Sequence, residues 1–245
     1  MKIAIISDIH ANLEAFEAVL AEIESIAPDE IYCLGDIVGY NANPNECAEL
    51  IRKKNIPSIM GNHDRVACGL EEPLFFNPSA KKAILWTRGK LNEENRKFLR
   101  ELPQNLSMKG IVLLAHGSPR DPDEYIYSET TASNCLNYME NNNPAVKVCL
   151  FGHTHYRSIF FSGKHEAQKE GMRTFKLNPY GKYLVNPGSV GQPRDGSSAA
   201  SFIIYDEATF SVTYHPVKYD IEKTAGKIRQ EDLPESLAER LFHGR

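Results

Sequence analysis

The chain opens on a short β-branched run, KIAIIS at residues 2–7, which reads as a buried strand. Leu13, Phe16, Val19, Leu20, Ile23 and Ile26 then recur at helical spacing. Residues 13–27 are therefore expected to form an amphipathic helix, capped by Asn12 and stopped by Pro28 and Asp29. EIYCL at 30–34 predicts the next strand, and GDIVGYNANPNE, rich in Gly, Asn and Pro, predicts a loop. A helix over about 45–54 and a strand near 56–60 continue the alternation, which argues for βαβ units and a mostly parallel sheet. Residues 65–103 interrupt it with two helical runs, 79–91 behind Pro78 and 93–102 behind an Asn92 cap, and read as a helical insertion. Strands resume at 111–115 and 146–151, with a helix over 130–140 between them. From 156 to 217 the pattern changes to short strands joined by turns, RSIFFS, GMRTFKL, KYLVN, ASFIIYD and FSVTYHPV, which predict an antiparallel half. Two amphipathic stretches after residue 220 predict helices packed on the outside. No repeat or linker divides the chain, so 1–245 reads as a single domain carrying the insertion.

Composition narrows the class. With 42% hydrophobic and 24% charged residues the chain is neither disordered, fibrous nor a disulfide miniprotein. The net charge of -4 disfavours general nucleic-acid binding or an anionic membrane surface. No run approaches the roughly 20 apolar residues of a membrane span, and the N-terminal apolar run is too short for a secretion signal. The five cysteines are odd in number, form no CxxC pair and mostly lie in apolar runs, where a thiol acts as a small core residue. A reducing, cytoplasmic setting is expected.

The chemistry lies where polar residues follow strands. Asp8 and His10 follow the first, Asp36 the second, Asn62 and His63 the third, His116 the run IVLLA, and His153 and His155 the run VCLF. Any one of these is ordinary alone: Asp caps helices and forms turns, and a loop His is usually solvated. Five clusters at five strand ends are different, because loops at the C-terminal edge of an α/β sheet converge. Two carboxylates, one amide oxygen and four imidazoles, with no thiolate, suit divalent Mn, Fe, Zn, Co or Ni, with manganese favoured, rather than calcium or a structural zinc. Seven ligands exceed the four one zinc ion takes, so two ions are expected.

The motifs DxH (Asp8, His10), GDIVGY (Asp36), GNHD (Asn62, His63, Asp64), an isolated His116 and GHTH (His153, His155) resemble the calcineurin-like metallophosphoesterase superfamily. The chain length and the late segment NPGSVGQPRDG are similar to its compact bacterial and archaeal phosphodiesterase branch. That resemblance implies an α/β (α+β) fold, a four-layer αββα sandwich of two mixed sheets flanked by helices. It implies that Asp8, His10 and His155 hold one metal, Asn62, His116 and His153 the other, and that Asp36 bridges them. A hydroxide between the ions would attack phosphorus, His63 would protonate the leaving oxygen, and Asp64 would fix the His63 ring by a hydrogen bond. Gly188 and Ser189 would form a turn beside the metals, and Arg194 would meet the substrate phosphate. The expected substrate is a phosphate diester, with a nucleotide among the options. The rivals are a phosphomonoesterase, a protein or dinucleoside-polyphosphate phosphatase, and a non-catalytic scaffold of the same fold. A homo-oligomer is compatible with the sequence. Arg65, Arg120 and Tyr40 lie close enough in sequence to the motifs to reach the cleft. Trp86 is expected to pack the inserted helices, and His165, His215 and His243 to be ordinary turn or surface residues.

Overall fold

A computed structural model describes residues 1–161, 164–167 and 171–245, with 164–167 described by backbone alone, so the side chain of His165 lies outside the described residues. The helices are α1 (Leu13–Ile26), α2 (Pro44–Lys53), α3 (Asn62–Ala67), α4 (Pro78–Lys90), α5 (Glu93–Arg100), α6 (Glu129–Asn142), α7 (Ile221–Gln230) and α8 (Glu235–His243). The strands are β1 (Lys2–Ile6), β2 (Glu30–Cys33), β3 (Asn105–Met108), β4 (Val112–Ala115), β5 (Val148–Phe151), β6 (Arg157–Phe161), β7 (Lys164–Ala167), β8 (Arg173–Lys176), β9 (Tyr183–Pro187), β10 (Ala200–Asp206) and β11 (Ser211–Val217). Asn12 caps α1 as expected, its side chain accepting from Ala15 N at 3.1 Å.

Two mixed sheets result, β2-β1-β10-β11-β8 and β3-β4-β5-β9-β6-β7. The period-2 alternation of the strands builds the layers. Ile3, Ile5, Ile203 and Tyr205 point between the sheets, where they meet Leu114, Val148, Leu150 and Val185. Ala4, Ile6, Phe202 and Ile204 point outward onto α1 and α2 through Phe16, Val19, Leu20 and Ile51. On the far side, Ala115, Cys149, Phe151 and Leu184 pack under Ala132, Cys135 and Met139 of α6. The outcome is the four-layer αββα sandwich. Trp86 joins a smaller cluster linking α4 to α7 and α8. All five cysteines are free and buried, and among the described residues no helix is long and apolar enough to cross a membrane.

Three expectations change. The strand near 56–60 reduces to one parallel bridge, Cys33 with Ser58, because Pro57 has no N–H to extend a ladder. The first half is not one mostly parallel sheet: β1 and β2 pair in one sheet, β4 and β5 in the other, and β10 lies antiparallel to β1. Nor is the second half wholly antiparallel, since β9 runs parallel to β5.

Candidate metal centre

The two sheets end at one edge, and their loops bring Asp8, His10, Asp36, Asn62, His116, His153 and His155 together. Five of these seven, Asp8, His10, Asp36, His153 and His155, have positive φ between 48° and 64°. This left-handed backbone turns the side chains off the strand ends toward one point, a conformation non-glycine residues adopt at a cost. Close backbone packing assists. A Cβ on Gly61 would run into Asp36 Oδ1, and one on Gly152 into Ser7 Oγ.

Hydrogen bonds set the direction of the imidazoles. His10 Nδ1 faces Val38 O at 3.2 Å, His116 Nδ1 faces Leu34 O at 2.8 Å, and His155 Nδ1 faces Gln192 O at 2.6 Å. A carbonyl only accepts, so each Nδ1 carries hydrogen and each neutral ring presents a lone pair at Nε2. Those lone pairs converge on other acceptors. His10 Nε2 and His155 Nε2 lie 3.1 Å apart, His155 Nε2 is 3.3 Å from Asp8 Oδ1, and His116 Nε2 is 3.2 Å from Asn62 Oδ1. Asp36 Oδ2 stands between the halves, 3.6 Å from His10 Nε2 and 3.4 Å from His116 Nε2. His153 Nε2 is buried with no hydrogen-bond partner among the described residues. Acceptors turned on acceptors repel unless a cation lies among them. Ligands about 2.1 Å from a tetrahedral cation sit about 3.4 Å from each other, close to the spacings here. The residues thus fit divalent cations in two groups, Asp8, His10, His155 and Asp36, His116, His153, while His10, Asp36 and His63 form a third overlapping group.

Electrostatics agree. Burial holds His10 and His155 well below the usual imidazole range and takes His153 down to about 3, so all three present lone pairs at neutral pH. Burial would also lower His116, but the Asp36 carboxylate outweighs it and holds the ring at about 10. Burial would raise Asp36, yet His116, His63 and His10 together hold it well below the carboxylate range. Without a cation, a proton on His116 takes that role. Burial lifts Asp8 to about 7, against the pull of His116.

The calcineurin-like phosphoesterase superfamily domain matches residues 1–209. The chain belongs to this superfamily. It is 43% identical over 99% of its length, and 98% of the relative's, to an uncharacterized protein of Methanocaldococcus jannaschii. The crystal structure of a metallophosphoesterase from Sphaerobacter thermophilus superposes with a TM-score of 0.86 at 39% identity, covering 100% of this chain and 99% of that one. A hypothetical protein from Pyrococcus horikoshii shares the fold, with a TM-score of 0.83 at 24% identity over 100% and 98% of the two chains. The protein is a hydrolase acting on phosphate esters, and its family is metal-dependent.

Within this phosphoesterase, His63 lies at the same edge, its ring centroid 4.7 Å from His10 and 4.4 Å from Tyr40, and burial holds its imidazole down at about 4. Asp64 does not hold that ring. Its Oδ1 accepts from Ile37 N at 2.9 Å and Val38 N at 3.2 Å, its Oδ2 accepts from Gly61 N at 3.1 Å, and His63 Nδ1 has no partner among the described residues. Asp64 is near enough in sequence, but its oxygens are taken up tying the Asp36 loop to the turn before α3. Ser189 is fully buried: its hydroxyl donates to Asp8 O at 2.8 Å and accepts from Gln192 N at 2.8 Å. The Gly188 N–H is taken by Asn186 Oδ1 at 2.8 Å. Ser189 thus braces the Asp8 loop through a hydroxyl engaged on both sides, and Gly188 is tied to Asn186.

Arg194 is different. Its guanidinium donates to Tyr40 Oη at 3.2 Å and to Gln192 Oε1 at 2.9 Å, neutral partners both, and its charge helps lower His155, His63 and His153. Arg65, beside the centre, is already engaged by Glu71 and Asp123, and Arg120 is engaged by Glu124. Tyr125, which the sequence did not single out, stacks on His153 with centroids 3.8 Å apart. No motif marks it, and only the fold brings the loop before α6 onto the centre.

Proposed function

We propose that this metallophosphoesterase hydrolyses phosphate diesters at a two-cation centre. Asp8, His10 and His155 would hold one ion, Asn62, His116 and His153 the other, with Asp36 shared. The observation that carries this reading is the convergence of four imidazoles, three of them unprotonated, on two carboxylates and an amide oxygen. Divalent cations bound there, manganese being our first choice, would supply Lewis acidity and lower the pKa of a water.

The chain's own residues do the rest. Arg194, steadied by Tyr40 and Gln192, sets its guanidinium against a phosphoryl oxygen, where a partner without competing carboxylates is strongest. His63 faces the leaving oxygen and delivers a proton or hydrogen bond as that oxygen gains charge. His153 N donates to both Asp8 oxygens at 3.2 Å and so keeps that carboxylate aimed inward during turnover. A monoester dianion would call for more free guanidinium. The engagement of Arg65 and Arg120 by carboxylates favours the singly charged diester. We further propose that the chain acts as one catalytic unit, with the 65–103 segment flanking its cleft.

The test is metal analysis together with hydrolysis of bis-p-nitrophenyl phosphate and p-nitrophenyl phosphate in Mn²⁺. We expect close to two ions per chain, faster turnover of the diester and loss of both activities to a chelator. One ion per chain with full activity would overturn the two-cation reading, and faster monoester turnover the diester reading.

A further inference from the structure

Beside the metal centre lies a cavity of about 350 Å³ whose floor includes Asn62, His63 and His153. Its walls are aromatic. Phe76 sits 4.7 Å from the His63 ring, Tyr40 closes the same side, and Tyr125 faces it from the stack on His153. At the mouth Phe75 is 96% exposed. Apart from the Tyr40 hydroxyl that steadies Arg194, none of these wall and rim side chains has a part in the proposed hydrolysis. An aromatic side chain left that open on the rim of a catalytic cavity has area to bury against something planar.

The polar groups of the cavity narrow what that is. Glu71, Glu72 and Asp123 lie on its edge, so a second phosphate or an acidic peptide would be repelled, while amino and hydroxyl donors find acceptors. Arg65 lines the same space and is largely buried. Its Nε and Nη2 are taken by Glu71 and Asp123, and its Nη1 has no acceptor among the described residues. A planar ring bearing both donor and acceptor edges, joined to a hydroxylated sugar, answers all of these features. A plain aryl or alkyl group answers only the apolar ones.

We propose that this cavity binds the nucleoside arm of the substrate, with the base between Phe76 and Phe75 and its edge or ribose meeting Arg65 Nη1 and the rim carboxylates. This rests on the phosphoesterase reading above, because the phosphoryl group must sit at the centre for the base to reach the cavity.

The test measures binding by calorimetry to the Mn²⁺-loaded protein, using AMP, phenyl phosphate, ribose 5-phosphate and inorganic phosphate as probes. Stacking contributes about tenfold or more per base, so AMP should bind at least about tenfold more tightly than ribose 5-phosphate. Phe76→Ala should remove that advantage while inorganic phosphate binds as before. Because Phe76 also packs against the body, Phe75→Ala at the solvent rim is the second variant, expected to weaken AMP about threefold or more. Equal affinities for AMP and ribose 5-phosphate, or no loss of AMP affinity in either variant, would overturn the subsite. Phenyl phosphate binding as tightly as AMP would overturn its assignment to a nucleoside. Failure of the underlying reading would be seen separately, as no bound metal and no hydrolysis of bis-p-nitrophenyl phosphate.

Discussion

Replacing Asp36 by Asn tests whether one carboxylate serves both halves of the centre. The change keeps shape: the amide oxygen can still accept from His63 N, which donates to Asp36 Oδ1 at 2.8 Å. What is lost is the charge at Oδ2, set between His10 and His116 at 3.6 and 3.4 Å in a side chain 1% exposed. Without metal, His116 sheds its proton rather than remain a buried unpaired cation. With metal the loss is direct. Removing even a residue that only supports a metal ligand costs 10- to 100-fold in affinity, and a shared ligand belongs at the upper end, about 100-fold. At a metal concentration 100 times the wild-type Kd, binding adds about 2.7 kcal/mol to wild-type stability. A Kd raised 100-fold leaves about 0.4 kcal/mol. At roughly 2–4 °C per kcal/mol for a chain of this length, the missing 2.3 kcal/mol or so removes about 5–9 °C of metal-induced gain in Tm. The assay is thermal melting with and without Mn²⁺, alongside metal analysis of both proteins. A variant that keeps the full Mn²⁺-dependent rise and the wild-type ion count would refute the bridging assignment.

Three more outcomes are expected. His63→Ala should keep its metal by elemental analysis and lose about 10²- to 10⁴-fold in kcat on an alkyl diester; unchanged turnover would remove His63 from the chemistry. Tyr214→Phe should cost about 1–2 kcal/mol in urea unfolding, because the buried hydroxyl donates to Ser158 O at 2.9 Å and Asn186 O at 3.0 Å and ties β6 to β9 from β11. The hydrogen bond from Arg120 lowers the Glu124 carboxyl from 4.5 to about 2, so this group's contribution is complete above pH 4.5 and disappears as pH falls toward 2. Glu124→Gln should accordingly flatten the pH dependence of unfolding free energy across that window, and an unchanged slope would show that the pair adds nothing.

The helices and most strands were legible because their signals are local. The apolar stripe of α1 and its Asn12 cap can be read residue by residue, as can Pro78 at the start of α4 and the Asn92 cap of α5. Pairings between distant strands have no local trace. Nothing in KIAII announces that its antiparallel neighbour begins about 200 residues later at Ala200. β3 was missed because NLSM is half polar and exposed, an edge strand without a clean alternation. α3 was missed because its six residues begin inside the GNHD motif, where a helical period cannot be seen. At the centre, residue types and order were readable, and all seven candidate ligands do meet. Their orientation was not, since it comes from hydrogen bonds of Val38, Leu34 and Gln192 carbonyls that no motif includes. The same limit explains Asp64, Gly188 and Ser189: the resemblance placed them at the site, but which atoms were already engaged depended on the folded loops.

Those loops carry strain that must be offset before any cation arrives. Each of the five left-handed residues costs on the order of 1 kcal/mol or more, so together they consume about 5 kcal/mol, comparable with the low end of a whole domain's stability. The offset is visible in cross-ties between loops. Asp8 N donates to Gly35 O at 3.0 Å, His10 N to Asp36 O at 2.9 Å, Ala11 N to Ile37 O at 3.0 Å and Val190 N to Ser7 O at 2.9 Å. The first three continue the β1–β2 pairing past the end of the sheet and the fourth ties the β1 loop to the β9–β10 connection, so the loops are held as extensions of the core rather than as free connections. The two carboxylates are fixed the same way, Asp8 by Ser7 and the His153 N–H, Asp36 by the His63 N–H. A centre held open by backbone bonds loses little entropy when it takes up metal, and so more of the binding free energy goes into affinity. The hydrogen-bonded frame of the site is therefore the sheet edge itself, and the repulsion among its lone pairs is the part of the energy that a cation relieves.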